Sequence, residues 1–293
     1  MVYALALVPA VLWGFSPILS KRGMASGGAA LQAALVVVAV DSLLYVLALA
    51  FVQNGPPFAD LSTEALGIFL LAGVVGTALG RLSTFAGVDR VGASVNSAGI
   101  SARPLFATVL AVAWLGEQVS LFTVSGVVVL VVGLAVLALA RGGDLAGWEP
   151  WELLFPVAAA ALFGVGNVLR RYGLQLTATT PLEAVALNEL AALAVLGGYA
   201  LARNRRDVLR APARSYAFFA GSGVVTAVAL LSLFTALQHP EGRVVIVDPL
   251  TASAPLFTSV FSYFLLKDLE RVTRGVVAGA ALIVVGAALV TVA

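Results

Sequence analysis

This 293-residue sequence has few of the residues on which enzyme and metal chemistry depend. It contains no cysteine and one histidine, and charged residues make up only 11% of it. The absence of cysteine excludes disulfides and thiolate metal sites, and a single histidine leaves no ligand cluster for a metal. Nucleotide hydrolysis is not supported, because the sequence has no Gly-x-x-x-x-Gly-Lys-Ser/Thr loop. We therefore expect no enzymatic activity, no metal and no cofactor.

Apolar residues, by contrast, dominate the chain. Hydrophobic residues make up 61% of it and the mean hydropathy is +1.03, far outside the range of soluble globular domains. Apolar runs of about 20 residues recur, each long enough to cross a hydrocarbon core about 30 Å thick as a helix. The formal net charge of +2 is small, so no nucleic-acid partner is expected. The sequence therefore predicts an all-α integral membrane protein.

Ten transmembrane helices follow from these runs and from the Gly- and Pro-containing breaks between them. The predicted helices span residues 2–20, 30–52, 65–88, 92–114, 119–140, 152–171, 182–202, 214–237, 243–265 and 271–292. Connections between them are short, and no run is left over for a separate soluble domain.

Internal similarity divides the ten helices into two halves. LWGFSPILSKRG at Leu12–Gly23 aligns with LFGVGNVLRRYG at Leu162–Gly173, and RPLFATVLAVAWLGE from Arg103 aligns with APLFTSVFSYFLLKD from Ala254. These offsets, 150 and 151 residues, define five-helix repeats at residues 1–141 and 150–293. An odd number of helices gives the second repeat the opposite orientation in the membrane. Inverted repeats of this kind are typical of transporters with a substrate site between the halves.

Several of these segments resemble the EamA-type transporters of the drug/metabolite transporter superfamily. The resemblance lies in LWG at Leu12–Gly14, GTALGRLSTFAGV at Gly76–Val88, the Pro-Leu-Phe that follows Arg103, and Leu-Gly-Glu at Leu115–Glu117. It covers essentially the whole chain and implies a ten-helix carrier in the plasma membrane. Such a carrier has a central cavity, is driven by a gradient rather than by ATP, and moves small metabolites, often outward.

Charges inside the predicted membrane segments are the candidates for function. Each costs about 2.5–3.5 kcal/mol on insertion scales unless it is paired or hydrated. The charged residues are Asp41, Arg81, Arg103, Glu189 and Asp248, and the neutral polar residues near them are Asn96, Asn167 and Asn188. Asp41, Glu189 and Asp248 are candidates for proton coupling or ion pairing, because a partly desolvated carboxylate can titrate well above its usual range.

Depth along the helices suggests which of these groups meet. Counted at about 1.5 Å per residue from the face where helices 2 and 4 end, Asp41 and Arg103 both lie about 16 Å deep, so we expect them to pair. Arg81 lies about 24 Å deep by the same count, level with Asn96, and these two are expected to line one vestibule. Arg81 is also a candidate partner of Glu189 or Asp248.

The repeat suggests how the cavity walls differ in charge. Asp41 aligns with Glu189, whereas Arg81 and Arg103 align with Leu231 and Ala254. Basic groups are therefore expected in the first half only, where they would hold an anionic or zwitterionic substrate. Candidate substrate contacts are Arg81, Asn96, Arg103, Trp13 and Asn167.

Proline and glycine residues are expected to shape the helices. Pro104 and Pro255, which recur in both halves, are candidate hinges, because proline frees backbone carbonyls and bends a helix. Small residues at Gly73, Gly76 and Gly80 allow close helix packing, and so do Gly126 and Gly133 with their repeats Gly279 and Gly286.

Three functions fit this pattern. The leading one is a secondary carrier of small polar metabolites such as amino acids or organic acids, exchanging with protons or another solute. The alternatives are a translocase of lipids or lipid-linked sugars, and a non-transporting membrane scaffold in which the charges only pair with each other. Expected partners are the solute and membrane lipid, with protons and a second copy of the chain as further candidates.

Orientation in the membrane is predicted differently by two signals. The resemblance implies cytoplasmic termini. The loops on the side of the termini, however, hold only Arg170, Arg171 and Arg243, whereas the opposite loops hold twelve basic residues. The positive-inside rule therefore favours termini on the outer side.

Overall fold

The computed structural model describes residues 2–52, 58, 61–115, 121–140, 142–203, 208, 210–242 and 244–291. The α-helices in these ranges are α1 Val2–Ala25, α2 Ala30–Val52, α3 Thr63–Ala72, α4 Gly80–Val91, α5 Ala93–Ile100, α6 Arg103–Leu115, α7 Leu121–Leu139, α8 Leu154–Leu176, α9 Pro181–Ala202, α10 Ala213–Gln238, α11 Val244–Thr251, α12 Ala254–Leu265 and α13 Arg274–Thr291. A π-helical segment, Gly73–Leu79, joins α3 to α4, and a 3₁₀ turn, Pro150–Leu153, precedes α8. A short antiparallel ribbon pairs β1, Gly143–Asp144, with β2, Glu270–Arg271.

Six helical segments are long and apolar enough to cross a membrane. They are Val2–Ala25, Ala30–Val52, Thr63–Val91, Pro150–Leu176, Pro181–Ala202 and Ala213–Gln238. Shorter apolar helices occur at Ser125–Leu137, Ala254–Leu265 and Arg274–Leu289. Large apolar side chains such as Leu43, Leu47 and Phe51 are exposed on the outside, as expected for a surface that faces lipid. The chain is an all-α, multi-pass membrane protein.

Two helices extend one to two turns past their predicted C-terminal ends. Helix α1 ends at Ala25 rather than at residue 20, and α8 ends at Leu176 rather than at residue 171. The prediction ended both helices near the first basic residues, Lys21 and Arg170. Both side chains are buried and bonded within the protein, which removes the reason for ending the helices there.

The predicted fourth and ninth helices are each broken near the middle. Helix α5 ends at Ile100 and α6 begins at Arg103, while α11 ends at Thr251 and α12 begins at Ala254. Each break comes just before a proline, Pro104 or Pro255. Proline has no N–H to donate and its ring crowds the carbonyl four residues earlier, so the helix is interrupted there. Hinge motion at these prolines stays a prediction.

Small residues let the helices approach closely, as the sequence predicts. An ideal Cβ on Gly73 would lie 2.2 Å from the backbone oxygen of Asn188 in α9, and one on Gly76 would lie 2.8 Å from the Cα of Gly166 in α8. Helices α7 and α13 pack against each other through similar contacts at Gly133, Gly279 and Gly286. Side chains at these positions would force the helices apart.

A pair of glycine substitutions tests this packing. In Gly286→Ala the new Cβ would lie 2.5 Å from the backbone nitrogen of Leu130 and 2.8 Å from the backbone oxygen of Gly126. We expect a loss of about 1–3 kcal/mol in the free energy of unfolding, as is usual for overpacking. The control is Gly198→Ala in α9, which has no atom within 4 Å of its ideal Cβ and should gain about 0.5–1 kcal/mol from helix propensity. Thermal unfolding in detergent measures both, and equal melting temperatures for the two variants would contradict the packing.

Candidate functional site

A mostly apolar cavity with polar and charged side chains in its wall lies between the helices, with about 920 Å³ of empty space, part of it open to the outside. Residues from both predicted halves line it. The polar side chains in its wall are Ser16, Ser20, Thr77, Arg81, Thr84, Asn96, Ser97, Ser101, Arg103, Asn167, Arg170, Thr226 and Thr251. The wall therefore contains three arginines and no described carboxylate, and the carboxylates that compensate these arginines lie outside the lining.

Arg81 lies between two buried carboxylates. Its Nη1 is 2.5 Å from Oδ2 of Asp41 on α2, and its Nη2 is 3.4 Å from Oε2 of Glu189 on α9. These four atoms do not meet hydrogen-bond geometry with any described residue. The contact is therefore an ion pair shared by one guanidinium and two carboxylates, and it leaves hydrogen-bonding capacity unused. The predicted pairing of Arg81 with Glu189 is present.

The predicted pair of Asp41 and Arg103 is wrong. Asp41 pairs with Arg81, although Arg81 was placed deeper in the membrane. The depth count began at the first residue of the third predicted helix, but Thr63–Val91 is 29 residues long, more than a bilayer requires. Counted from the opposite ends of their helices, Asp41 and Arg81 are level. Depth also does not tell on which side of a cavity a residue lies.

Arg103 pairs instead with the second broken helix. Its Nε lies 3.5 Å from Oδ1 of Asp248, and its Nη2 donates to the hydroxyl of Thr251. Its guanidinium carbon lies 6.0 Å from the ring centroid of Trp13, within range of a cation–π contact. The two helix breaks before Pro104 and Pro255 therefore lie close together. Asp248 pairs with Arg103 rather than with Arg81.

Arg170 is a site residue that was not predicted from the sequence. It was counted with the basic residues of the loops, although the predicted helix 152–171 includes it, but it is only 2% exposed and lines the cavity. Its Nε donates to Oδ1 of Asn188 at 3.2 Å, its Nη1 to Oδ1 of Asn167 at 2.8 Å, and its Nη2 to the hydroxyl of Thr77 at 2.9 Å. Helical spacing could have indicated this position, because Arg170 follows Asn167 by three residues and so lies on the same face of α8. The expectation that only the first half supplies basic groups is therefore wrong.

Neutral side chains connect the charged groups into one network. Thr77 and Asn188 both donate to Oε1 of Glu189, at 3.3 and 3.1 Å. Asn167 donates through Nδ2 to Oδ1 of Asp248 at 2.9 Å. A continuous chain of polar contacts thus runs from Asp41 through Arg81, Glu189, Arg170 and Asp248 to Arg103. The network contains three positive and three negative side chains, so its formal net charge is zero.

Asn96 is a polar residue of the cavity wall with unused hydrogen-bonding capacity. Its side chain is fully buried, and neither Oδ1 nor Nδ2 has a hydrogen-bond partner among the described residues. It packs against Gly87, where a Cβ would lie 2.0 Å from Oδ1. Asn96 and Arg81 line the same cavity, and their role as substrate contacts stays a prediction.

A cluster of charged contacts lies at one end of the cavity, and we call it the latch: Lys21, Asp144, Glu270 and the Val91–Ala93 turn. Lys21 Nζ donates to the backbone oxygens of Val88 and Asp89 at 3.1 and 3.0 Å and pairs with Asp144. Glu270 accepts hydrogen bonds from the backbone N–H groups of Ala93 and Ser94.

The latch fixes the turn between α4 and α5 through residues of other elements. Lys21 comes from α1, and its ammonium group satisfies carbonyls at the C-terminal end of α4. Glu270 comes from β2 and caps the N-terminus of α5, where a carboxylate is favourable. Gly92 between them has φ +86°, and a Cβ there would lie 2.9 Å from the Glu270 carboxyl. Lys21 directly follows the cavity residue Ser20 and donates to the backbone oxygen of the cavity residue Val88, so the latch lies next to this part of the cavity wall.

Metal binding finds no support in the described part of the chain. No group of three or more His, Cys, Asp or Glu side chains there is arranged to hold a metal ion. Asp41, Glu189 and Asp248 contact arginines instead. Glu117, a helix-end residue in the resemblance, lies outside the described residues.

Comparisons with known proteins agree with this architecture. No curated protein sequence matches the chain significantly. A solved protein crystal structure aligns with it at a TM-score of 0.68 and 17% identity, over 99% of this chain and 96% of the other. At this identity the match shows the fold alone. The model of the EamA-like transporter family matches residues 1–139 and again residues 150–292. The chain therefore belongs to the EamA-like transporter family.

Proposed function

We propose that the chain is a secondary active carrier that exports small polar metabolites, such as amino acids or organic acids, across the plasma membrane. In this proposal it has ten transmembrane segments arranged as two inverted repeats, residues 1–141 and 150–293. Helices α3 and α4 with the π-helical segment form one span, α5 with α6 another, and α11 with α12 a third. Membership of a transporter family and the two matches to its model support this arrangement.

The observation that carries the proposal is the arginine-lined cavity inside an apolar helix bundle. Charged groups in a membrane interior are costly and usually mark a pathway for a solute, an ion or a proton. Interrupted helices in both halves supply Arg103, Asp248 and Thr251, and broken helices are the usual origin of carrier binding sites. A scaffold with fully paired charges would need neither the cavity nor a buried amide such as that of Asn96, which has no partner among the described residues.

The residues divide into two proposed roles. Arg81, Asn96, Arg103, Trp13 and Asn167 contact the solute. The carboxylates of Asp41, Glu189 and Asp248, which lie behind the arginines, exchange protons as the arginines engage and release the solute. Alternating access then opens and closes the latch at one end of the cavity, with Pro104 and Pro255 as the hinges.

The proposed membrane orientation follows the charge distribution rather than the family resemblance. Burial of Lys21 and Arg170 removes one basic residue from each side, so the strong bias toward the face that bears β1 and β2 persists. We propose that this face is cytoplasmic and that both termini are outside. A C-terminal reporter that is active only in the cytoplasm would overturn this orientation.

The direct test of transport is solute uptake by purified protein in liposomes. We expect a panel of radiolabelled amino acids and organic acids to include solutes that enter faster than in protein-free vesicles. A pH gradient should change the rate, because carboxylates take part. Uptake at the protein-free rate for every solute, with and without the gradient, would contradict a carrier.

Substitutions at Arg103 separate a solute contact from a structural pair. Arg103→Ala leaves Asp248 buried without its cation, which should cost about 3–5 kcal/mol of stability and abolish transport. Adding Asp248→Asn removes the unpaired charge, so the double variant should regain most of the stability. Its transport should stay lost, because it lacks both the solute contact of Arg103 and the proton-exchanging carboxylate of Asp248. Melting temperature and uptake are measured on the same preparations. If the double variant recovered both its melting temperature and its uptake, the Arg103–Asp248 pair would have a structural role only.

The latch is expected to respond to pH through Glu270. Burial raises the pKa of the Glu270 carboxyl, and hydrogen bonds from Ala93 and Ser94 and the charge of Lys21 only partly oppose this. An open latch would expose Glu270 to water and restore its ordinary pKa. The closed form therefore holds the proton more strongly, so it is favoured below the raised pKa and becomes easier to open as pH rises through it.

Hydrogen exchange at the start of α5 measures this response. After correction for the intrinsic rate, the amides of Ala93 and Ser94 should lose protection as pH rises in the wild type. In Glu270→Gln, which keeps the shape but cannot ionise, their protection should not depend on pH. Wild-type protection that increases with pH would contradict the role given to Glu270.

A further inference from the structure

Arg170 differs from the other two arginines of the cavity in having no carboxylate partner. Arg81 has two within 4 Å and Arg103 has one, whereas Arg170 forms no ion pair with any described residue. Its hydrogen-bond partners, Asn167, Asn188 and Thr77, are all neutral. Its charge is therefore the one in the cavity wall that the described protein does not neutralise directly.

The guanidinium of Arg170 is also held in a fixed position. Three of its five donor hydrogens are used in the bonds to neutral side chains, which leaves one on each Nη. The ring of Phe234 lies 5.4 Å from its central carbon, and an ideal Cβ on Gly76 would lie 3.1 Å from its Nη2. A rigid planar group with free Nη hydrogens is suited to a carboxylate or a similar oxyanion.

The charges of the network are balanced in number but not in position. The surplus negative charge lies on Asp41 and Glu189, which share Arg81, and the surplus positive charge lies on Arg170. The charged and titratable groups close to this carboxylate pair are Arg81 from α4, which contacts both members, Arg170 from α8 and Tyr45 from α2. Protonation of one carboxylate would leave one net positive charge in the network.

We propose that Arg170 binds one singly charged anionic group of the solute, and that the Asp41–Glu189 pair takes up one proton with it. This proposal rests on the proposed carrier function and names its solute class: a molecule with one carboxylate or another monovalent oxyanion. The proton comes from water and stays on the carboxylate pair, and the anion leaves water for Arg170. The loaded and empty networks then carry the same charge. The unpartnered amide of Asn96 in the same cavity supplies a second polar contact.

Binding to the purified full chain in nanodiscs tests the solute class. The probes are acetate and L-lactate, each compared with its neutral primary amide. At least one acid should raise the melting temperature of the wild type while its amide does not. Binding should also consume about one proton per anion, measured with a pH indicator in weak buffer. Equal binding of acid and amide, no binding of any acid, or no proton uptake would each overturn the proposal.

Variants then assign the binding to Arg170. Arg170→Gln should weaken acid binding about ten- to a hundredfold, as expected for lost charge-assisted hydrogen bonds, and Arg170→Lys should retain part of it. The control is Arg171→Gln, because Arg171 donates to the backbone oxygens of Leu237 and His239 and does not line the cavity. Asp41→Asn should bind the acid without taking up a proton.

The result separates this proposal from the carrier function itself. Liposome uptake that is equally fast for amides, or unchanged in Arg170→Gln, would keep the carrier and overturn the anion site. If Arg170→Gln does not fold, the wild-type comparison of acids with amides and the proton count still decide. Acid binding with a proton uptake that is the same in Asp41→Asn as in the wild type would overturn the role of the carboxylate pair.

Discussion

The structure depends on how six charged side chains compensate one another inside an apolar bundle. An unpaired arginine or carboxylate group in the hydrocarbon interior would cost several kcal/mol of free energy. Arg81 therefore lies against Asp41 and Glu189, Arg103 lies against Asp248, and Arg170 is surrounded by amides and a hydroxyl. These contacts join α2, α4, α6, α8, α9 and α11, so the same network that makes the charges tolerable also fixes the walls of the cavity.

Backbone irregularities bring these side chains together. The breaks before Pro104 and Pro255 place Arg103 next to Asp248 and Thr251. The π-helical segment Gly73–Leu79 positions Thr77 between Arg170 and Glu189 and lies close against α8 and α9 through Gly73 and Gly76. Regular helices would pack more simply but would supply fewer polar groups at one level. The irregular positions are thus where the polar network is built.

Much of the fold could be predicted from the sequence, because apolar runs of membrane length and glycine or proline breaks are local signals. The five charged residues were also identified, since each interrupts an apolar run. Their partners could not be predicted, because depth along a helix does not say which helices are neighbours. Arg170, Lys21 and Glu270 were missed for another reason: they occur near predicted helix ends, where a charge normally faces water. Here each is buried and bonded to a distant part of the chain.

In the proposed carrier, the cavity opens to each side of the membrane in turn. The absence of cysteine from the sequence allows a direct measurement with single-cysteine variants and a membrane-impermeant thiol reagent. Ser101→Cys places a thiol in the cavity wall, and Ser215→Cys, in the fully buried start of α10 and outside that wall, is the control. Alternating access predicts that the cysteine at 101 reacts from either face, with a solute gradient changing which face dominates, while the cysteine at 215 does not react. A cysteine at 101 that reacts from one face only, whatever the gradient, would contradict alternating access.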